Sequence, residues 1–309
     1  MERISYNLDH REEYPLCKTK NKTVNKATSE ITPKVTFEQL ETLYRTYNKR
    51  EYVHPDPLEF LYNYENPSDR EVVGLVASSL AYGSVWQILK AVQTVLDRMP
   101  EPAEFVTRTS KSRLIKIFSD FKYRFNTGED ISALLYGIGR VIRKHGSLEK
   151  CFKSGITSGD DAVISGLGIL VDEIVLESGG GDKRFYQLLP HPSRKSACKR
   201  LNLYLRWMVR RDDVDPGGWY TVGSDKLLVP IDVHMFRICR ALGLTARGSA
   251  DLRTSIEITE NFRRINPADP VKYDFAITRL GIRDELEPDV FIKECLENGG
   301  EDKCKNTKD

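Results

Sequence analysis

The sequence predicts an all-α fold, and three observations carry that prediction. Apolar residues recur at helical spacing in one segment after another, the segment ends bear caps and terminal glycines, and alternating strand-like runs between hairpin turns are nearly absent. "TFEQLETLYRTYNKR" sets Phe37, Leu40, Leu43 and Tyr44 at helical spacing. In "NPSDREVVGLVASSLAYG", Ser68 stands three residues before Glu71 as a capping box, and Gly83 closes the run. Ser84 then caps "VWQILKAVQTVLDRM". Further helices are predicted over 131–144, 162–177, 196–210, 233–242, 252–264 and 271–280, with no fixed-period repeat among them. "DDVDPGGWYTVGSDK", rich in Asp and Gly, reads as a loop between two important helices.

The chain has 309 residues, 40% of them hydrophobic, enough for a substantial core. A net charge of +2 does not announce nucleic-acid binding, so any such signal has to be local. The start of the chain holds Glu2, Asp9, Glu12 and Glu13 without an apolar run, unlike a secretory or transit signal. No stretch is apolar for long enough to predict a membrane span. Six scattered cysteines lack CxxC or zinc-like spacing, which points to a reduced, intracellular protein without a cysteine-held metal. Residues 1–34 read as a disordered basic tail, 35–300 as one helical domain and 301–309 as a second tail.

The local signal lies between His191 and Arg211. "HPSRKSACKRLNLYLRWMVRR" contains seven Lys or Arg residues and no acid. On a helical projection Ala197, Leu201, Tyr204, Leu205 and Met208 share one face, whereas Lys199, Arg206 and Arg210 share another with Asn202 beside them. Exposed helix faces ordinarily mix signs, so an acid-free basic face reads as a phosphate-tracking surface rather than a solvated one.

Downstream, "PIDVHMFRICRALGL" starts with Asp232 and runs through Met235, Ile238, Cys239 and Leu242 to Gly243, a short buried helix with both ends marked. An Asp at this position accepts an orphan backbone N–H and faces the positive end of the helix dipole. The same surroundings keep it ionised, so a cap can also serve as a fixed anion opposite a developing cation. His234 is expected to pack beside the helix end, and no acid–histidine cluster argues for a metal.

Three blocks, "SACKRLNLYLRWMVR", "LLVPIDVHMFRICRALGL" and "INPADPVKYDFAITRLGI", resemble the family called domain of unknown function 2400. That family in turn resembles the helix-hairpin-helix DNA glycosylases of the endonuclease III type, in which a "VDTH" block begins a helix much as "IDVH" does here. The resemblance implies two lobes, one from 35–66 plus 230–300 and one from 67–229, with double-stranded, lesion-containing DNA bound between them by a monomer. It implies Asp232 as the catalytic carboxylate and a cytoplasmic (nucleoid) or nuclear location. The superfamily hairpin LPGxG corresponds to "LPHPSRKSACK", where His191 and Ser193 replace the glycines. Lys195 and Lys199 therefore compete as nucleophile. The 32 residues between Lys199 and Asp232 are closer to the archaeal 8-oxoguanine glycosylases, which favours Lys199. Too few cysteines follow Cys239 for an iron–sulfur cluster, so no cofactor is expected.

On that reading Asp232 stabilises positive charge on the sugar while neutral Lys199 attacks the anomeric carbon. Arg194, Arg200, Asn202, Arg206 and Arg210 are the expected DNA-backbone contacts. Tyr273 and Asp274 are candidates for the base pocket, with Tyr82 and Trp86 as further pocket or wedge residues, although core packing competes for each. Removal of an oxidised purine, with abasic-site lyase activity, is the expected function; a non-catalytic nucleic-acid-binding module on the same fold is the alternative.

Overall fold

A computed structural model describes residues 33–156, 162–181, 183–194, 196–282 and 288–298. Its helices are α1 Phe37–Tyr47, α2 Pro67–Leu80, α3 Val85–Leu96, α4 Pro102–Arg108, α5 Lys111–Ile117, α6 Gly128–His145, α7 Leu148–Ser154, α8 Ala162–Ser178, α9 Lys183–Leu188, α10 Lys199–Val209, α11 Val233–Ala241, α12 Leu252–Ile265, α13 Asp274–Ile282 and α14 Pro288–Asn298. A two-strand hairpin, β1 Lys122–Tyr123 with β2 Asn126–Thr127, is the one sheet among the described residues. The all-α expectation holds, and no helix of the described residues is long and apolar enough to cross a membrane.

The helices begin where their sequences can satisfy the first backbone N–H groups. In α1, Thr36 Oγ1 accepts from Gln39 N while Gln39 Oε1 accepts from Thr36 N, a reciprocal pair that frees Leu40 and Leu43 to bury their side chains. α12 starts on a one-way cap, the Asp251 carboxylate accepting from Thr254 N. The capping box expected at Ser68 and Glu71 is corrected. Asn66 is the cap, accepting from Ser68 N, and Pro67 takes the first helical position, where its missing N–H costs nothing. Glu71 is thereby released from the cap. Buried instead, it accepts from Leu148 N and Glu149 N at the start of α7 and from Trp219 Nε1 in the loop after α10.

α6 is the hub of one group of helices, packing on α4, α5, α7 and α8. Close approach there rests on small residues: a Cβ added to Gly139 would meet the Val106 carbonyl oxygen at 1.9 Å. α2 joins this group to α10, whose Tyr204 ring lies against Gly74. α13 packs on α1 and α11, with buried Tyr273 between Tyr44 and Phe262. Ahead of α1, the Lys34 N–H donates to the Leu242 carbonyl, and Val35 is buried.

Candidate active site

α11 delivers Asp232. Its Oδ1 accepts from Met235 N at 2.8 Å, the N-cap bond foreseen from the sequence. The opposite end closes as a Schellman turn: Gly243, at φ +69, donates to Arg240 O, and Leu244 N donates to Cys239 O. A nine-residue helix fixed at both ends holds the carboxylate still, leaving Oδ2 free for another partner.

That partner is Lys199. It is the first residue of α10, and its Nζ lies 2.9 Å from Asp232 Oδ2, with the side chains 35% and 22% exposed. The pair is therefore neither solvated nor sealed. Burial alone pushes the Asp232 carboxyl up, but the Lys199 charge, the Met235 N–H and the Lys199 hydrogen bond outweigh it and hold the group below the ordinary carboxylate range. The ionised cap of the sequence argument is retained.

Lys199 and Asp232 line a cavity of about 350 Å³, within the ~300–1,000 Å³ typical of small-molecule sites. Helical periodicity explains its walls. Lys199, Leu203 and Arg206 come from one face of α10 at i, i+4 and i+7, and Asp274, Thr278 and Gly281 from α13 at the same spacing. Val85 and Ile88 of α3, the Ala81–Gly83 turn and the Pro55–Pro57 segment complete it. Three cations, Lys199, Arg206 and Arg279, stand against three acids, Asp56, Asp232 and Asp274.

Arg206 and Arg210 require correction. Both are buried, at 3% and 4% exposure, and cannot track phosphates. Arg206 Nε reaches Asp215 Oδ1 at 3.1 Å, and its Nη1 bonds Asp274 Oδ2. Arg210 bonds Asp215 through Nη1, Asp269 through Nε at 2.9 Å and Asp212 through Nη2 at 2.9 Å. Asn202 is corrected likewise: it is buried, and its Nδ2 donates to Ala197 O at 3.0 Å. Arg200 spends its guanidinium on the carbonyls of Ser79, Leu188 and Gln187 and lies over the Tyr82 ring. Arg194 alone of the expected backbone contacts is exposed, stacked 3.7 Å from the Tyr186 ring centroid. Lys195 lies outside the described residues.

Among the base-pocket candidates, only Asp274 lines the cavity. Tyr273 is corrected to a core residue, fully buried with its hydroxyl on Glu41 at 2.7 Å. Tyr82 does not line this cavity but a neighbouring, more open one that also includes Ala81 and Lys199. Its hydroxyl donates to Asn126 Oδ1 at 2.5 Å and its ring packs on Tyr123, bolting the β1–β2 hairpin to the turn after α2. Trp86 does not line the cavity either but stands 62% exposed next to Val85, which does. Asp269, on the approach to α13, does not line the cavity and accepts from Arg210 Nε at 2.9 Å.

Sequence reasoning missed Arg279, Asp56 and Asp215. Arg279 is 1% exposed, and its Nη2 donates to Asp56 Oδ2 at 2.7 Å across the cavity wall. Asp56 also caps the 3₁₀ turn Pro57–Asn63 by accepting from Leu58 N. Helical spacing from Asp274 would have brought Thr278 and Gly281 into view, but no local signal ties Asp56 to a residue so far along the chain.

The fold and site define an all-α protein whose pocket joins a lysine to an ionised, helix-capping aspartate above a buried arginine–aspartate floor. The chain belongs to the family described as "Protein of unknown function (DUF2400)", whose model matches residues 56–283, more than half the chain and every cavity-lining residue except Pro55. No curated protein and no solved structure matches it.

Proposed function

We propose that this protein is a DNA glycosylase with abasic-site lyase activity, acting on an oxidised purine. The observation that carries the reading is the Lys199–Asp232 pair, 2.9 Å apart and half-open to a cavity of about 350 Å³. Phosphate binding alone has no use for a fixed carboxylate beside the lysine, and a purely structural pair has no use for the cavity.

In the proposed reaction the target nucleotide leaves the stack and its base enters the cavity. The glycosidic bond breaks with its electron pair departing on the base, while Asp232 stabilises the positive charge left on the sugar. Lys199 must first lose a proton, for which Asp232 Oδ2 is the adjacent acceptor; its Nζ then bonds to C1′. Opening of the sugar ring gives a Schiff base, and loss of a C2′ proton expels the 3′ phosphate. Trp86, exposed beside the cavity, is suited to fill the gap left in the duplex.

Borohydride trapping on a duplex with an abasic site tests this. Wild type is expected to form a covalent adduct, Lys199→Gln none, and Asp232→Asn, which loses the acceptor for the Lys199 proton, on the order of 100-fold less. An adduct lost only in Lys195→Gln moves the nucleophile. Absence of any wild-type adduct overturns the lyase reading in favour of a non-catalytic binding module.

A further inference from the structure

We infer that Asp274 is the general acid of this cavity, handing a proton to the base as it leaves. The inference rests on the excision reading of the same site and adds a second catalytic residue to it.

The geometry starts from an imbalance of charge. Beneath the cavity, Arg206 and Arg210 contact Asp212, Asp215, Asp269 and Asp274, so four carboxylates face two guanidiniums. Uncompensated buried negative charge is costly, and a proton on one carboxyl relieves it. Hydrogen bonding indicates which one. Asp215 has both oxygens on guanidiniums, Oδ1 on Arg206 and Oδ2 on Arg210. Asp212 takes Val214 N and Asp215 N on Oδ1, with Arg210 and the Tyr44 hydroxyl on Oδ2. Asp274 has one oxygen on Arg206, while Oδ1 is buried and without a hydrogen-bond partner. Asp269 Oδ1 is also unpartnered, but Asp269 does not line the cavity, whereas Asp274 does. Asp274 thus combines room for a proton on Oδ1 with a place in the cavity wall.

Several charged or titratable groups face Asp274 or share its cavity. They are Arg206 and Lys199 from α10, Asp232 and His234 with Cys239 from α11 and its cap, Asp215 from the following loop, Asp56, and Arg279 on its own helix. Burial is the main force lifting the Asp274 carboxyl, to about 6; Arg206 opposes it, and the charges of Asp232 and Asp215 reinforce it. A carboxyl in that range is half-protonated near pH 6 and keeps part of its proton population as neutrality is approached, which suits it to act as a general acid.

The step balances. The C1′–N bond breaks and its electron pair goes to the base, the Asp274 proton goes to the atom of the base carrying that pair, and the base leaves neutral. Lys199 Nζ forms the new bond to C1′, its displaced proton going to Asp232 or water. Asp274 is left as a carboxylate against Arg206 and regains its proton from solvent.

The test compares two duplexes, one with 8-oxoguanine opposite cytosine and one with an abasic site, which needs no base protonated. Base excision by wild type is expected to fall about tenfold per pH unit above pH about 6 as the acid ionises, with no such fall in adduct formation on the abasic duplex. In Asp274→Asn the ratio of base excision to abasic adduct is expected to drop on the order of 100-fold or more. Equal losses on both duplexes, or no loss, overturn the acid role and leave the Lys199–Asp232 reading standing; a wild type that traps the abasic duplex yet excises no base overturns the acid role and the excision of this base, and leaves only the lyase part of that reading. Failure to trap the abasic duplex overturns both. Should Asp274→Asn not fold, the wild-type pH split decides alone.

Discussion

Helix α10 carries cations at both ends, and the fold treats the two ends in opposite ways. At its start Lys199 meets a single acid, Asp232, with both side chains in reach of water. At its far end Arg206 and Arg210 are sealed among four carboxylates drawn from the following loop and from the approach to α13. A guanidinium taken out of water needs every donor matched, so the buried end becomes a structural joint between segments distant in sequence. The half-open lysine makes no such demand, and its amine stays available for chemistry. Position along one helix thus decides whether a cation is locked into the scaffold or left at the cavity.

The largest effect expected from that contrast is at Arg210. Arg210→Ala strands Asp212 and Asp269 without a counter-charge and leaves Asp215 on Arg206 alone, and removing one partner of a buried ion cluster costs about 3–5 kcal/mol. Chemical denaturation should show the midpoint falling accordingly; a loss under about 1 kcal/mol would erase the distinction between the two ends. Asp232→Ala comes next, at about 1 kcal/mol for a lost N-cap. Lys199→Met, which gives up only a half-exposed pair, should change stability by less than about 1 kcal/mol while abolishing the borohydride adduct. A Lys199 variant as damaging to the fold as Arg210→Ala would make the pair a structural element and remove its catalytic interpretation.

How much of this was legible in the sequence follows from the same contrast. The helices were readable because the spacing of Leu40 and Leu43, or of Met235, Ile238 and Cys239, is itself the burial pattern. The Asp232 cap and the Gly243 terminator were readable because both act within a few residues of themselves. The acid-free run around α10 misled for the opposite reason. The acids that neutralise Arg206 and Arg210 lie outside the run, at Asp212, Asp215, Asp269 and Asp274, so a local tally of sign could not register them. Glu71 failed likewise: its spacing from Ser68 fits a capping box, but the competing cap at Asn66 with Pro67 behind it took the position. The Arg279–Asp56 bond was beyond reach, since it depends on how α13 settles against the Pro55–Pro57 segment.

The smallest effect separates the surface cations that are free to bind from those that are not. Arg194 is exposed with its guanidinium on the Tyr186 ring, whereas Arg200, six residues on, is committed to three backbone carbonyls. Arg194→Ala should leave stability within about 0.5 kcal/mol of wild type, as surface substitutions do. If Arg194 contacts a phosphate, the same variant should reduce the slope of log binding constant against log salt by about 0.9 on duplex DNA. Arg200→Ala should do the reverse, lowering the melting temperature with little change in slope, because what it loses are hydrogen bonds to Ser79, Leu188 and Gln187 rather than a counter-ion. An unchanged slope for Arg194→Ala would leave Lys199 and the exposed Arg211 as the described cations of the 191–211 run not committed to the fold's own packing, and would move the test of DNA contact to the exposed Trp86 and the Arg124–Phe125 tip of the β1–β2 hairpin.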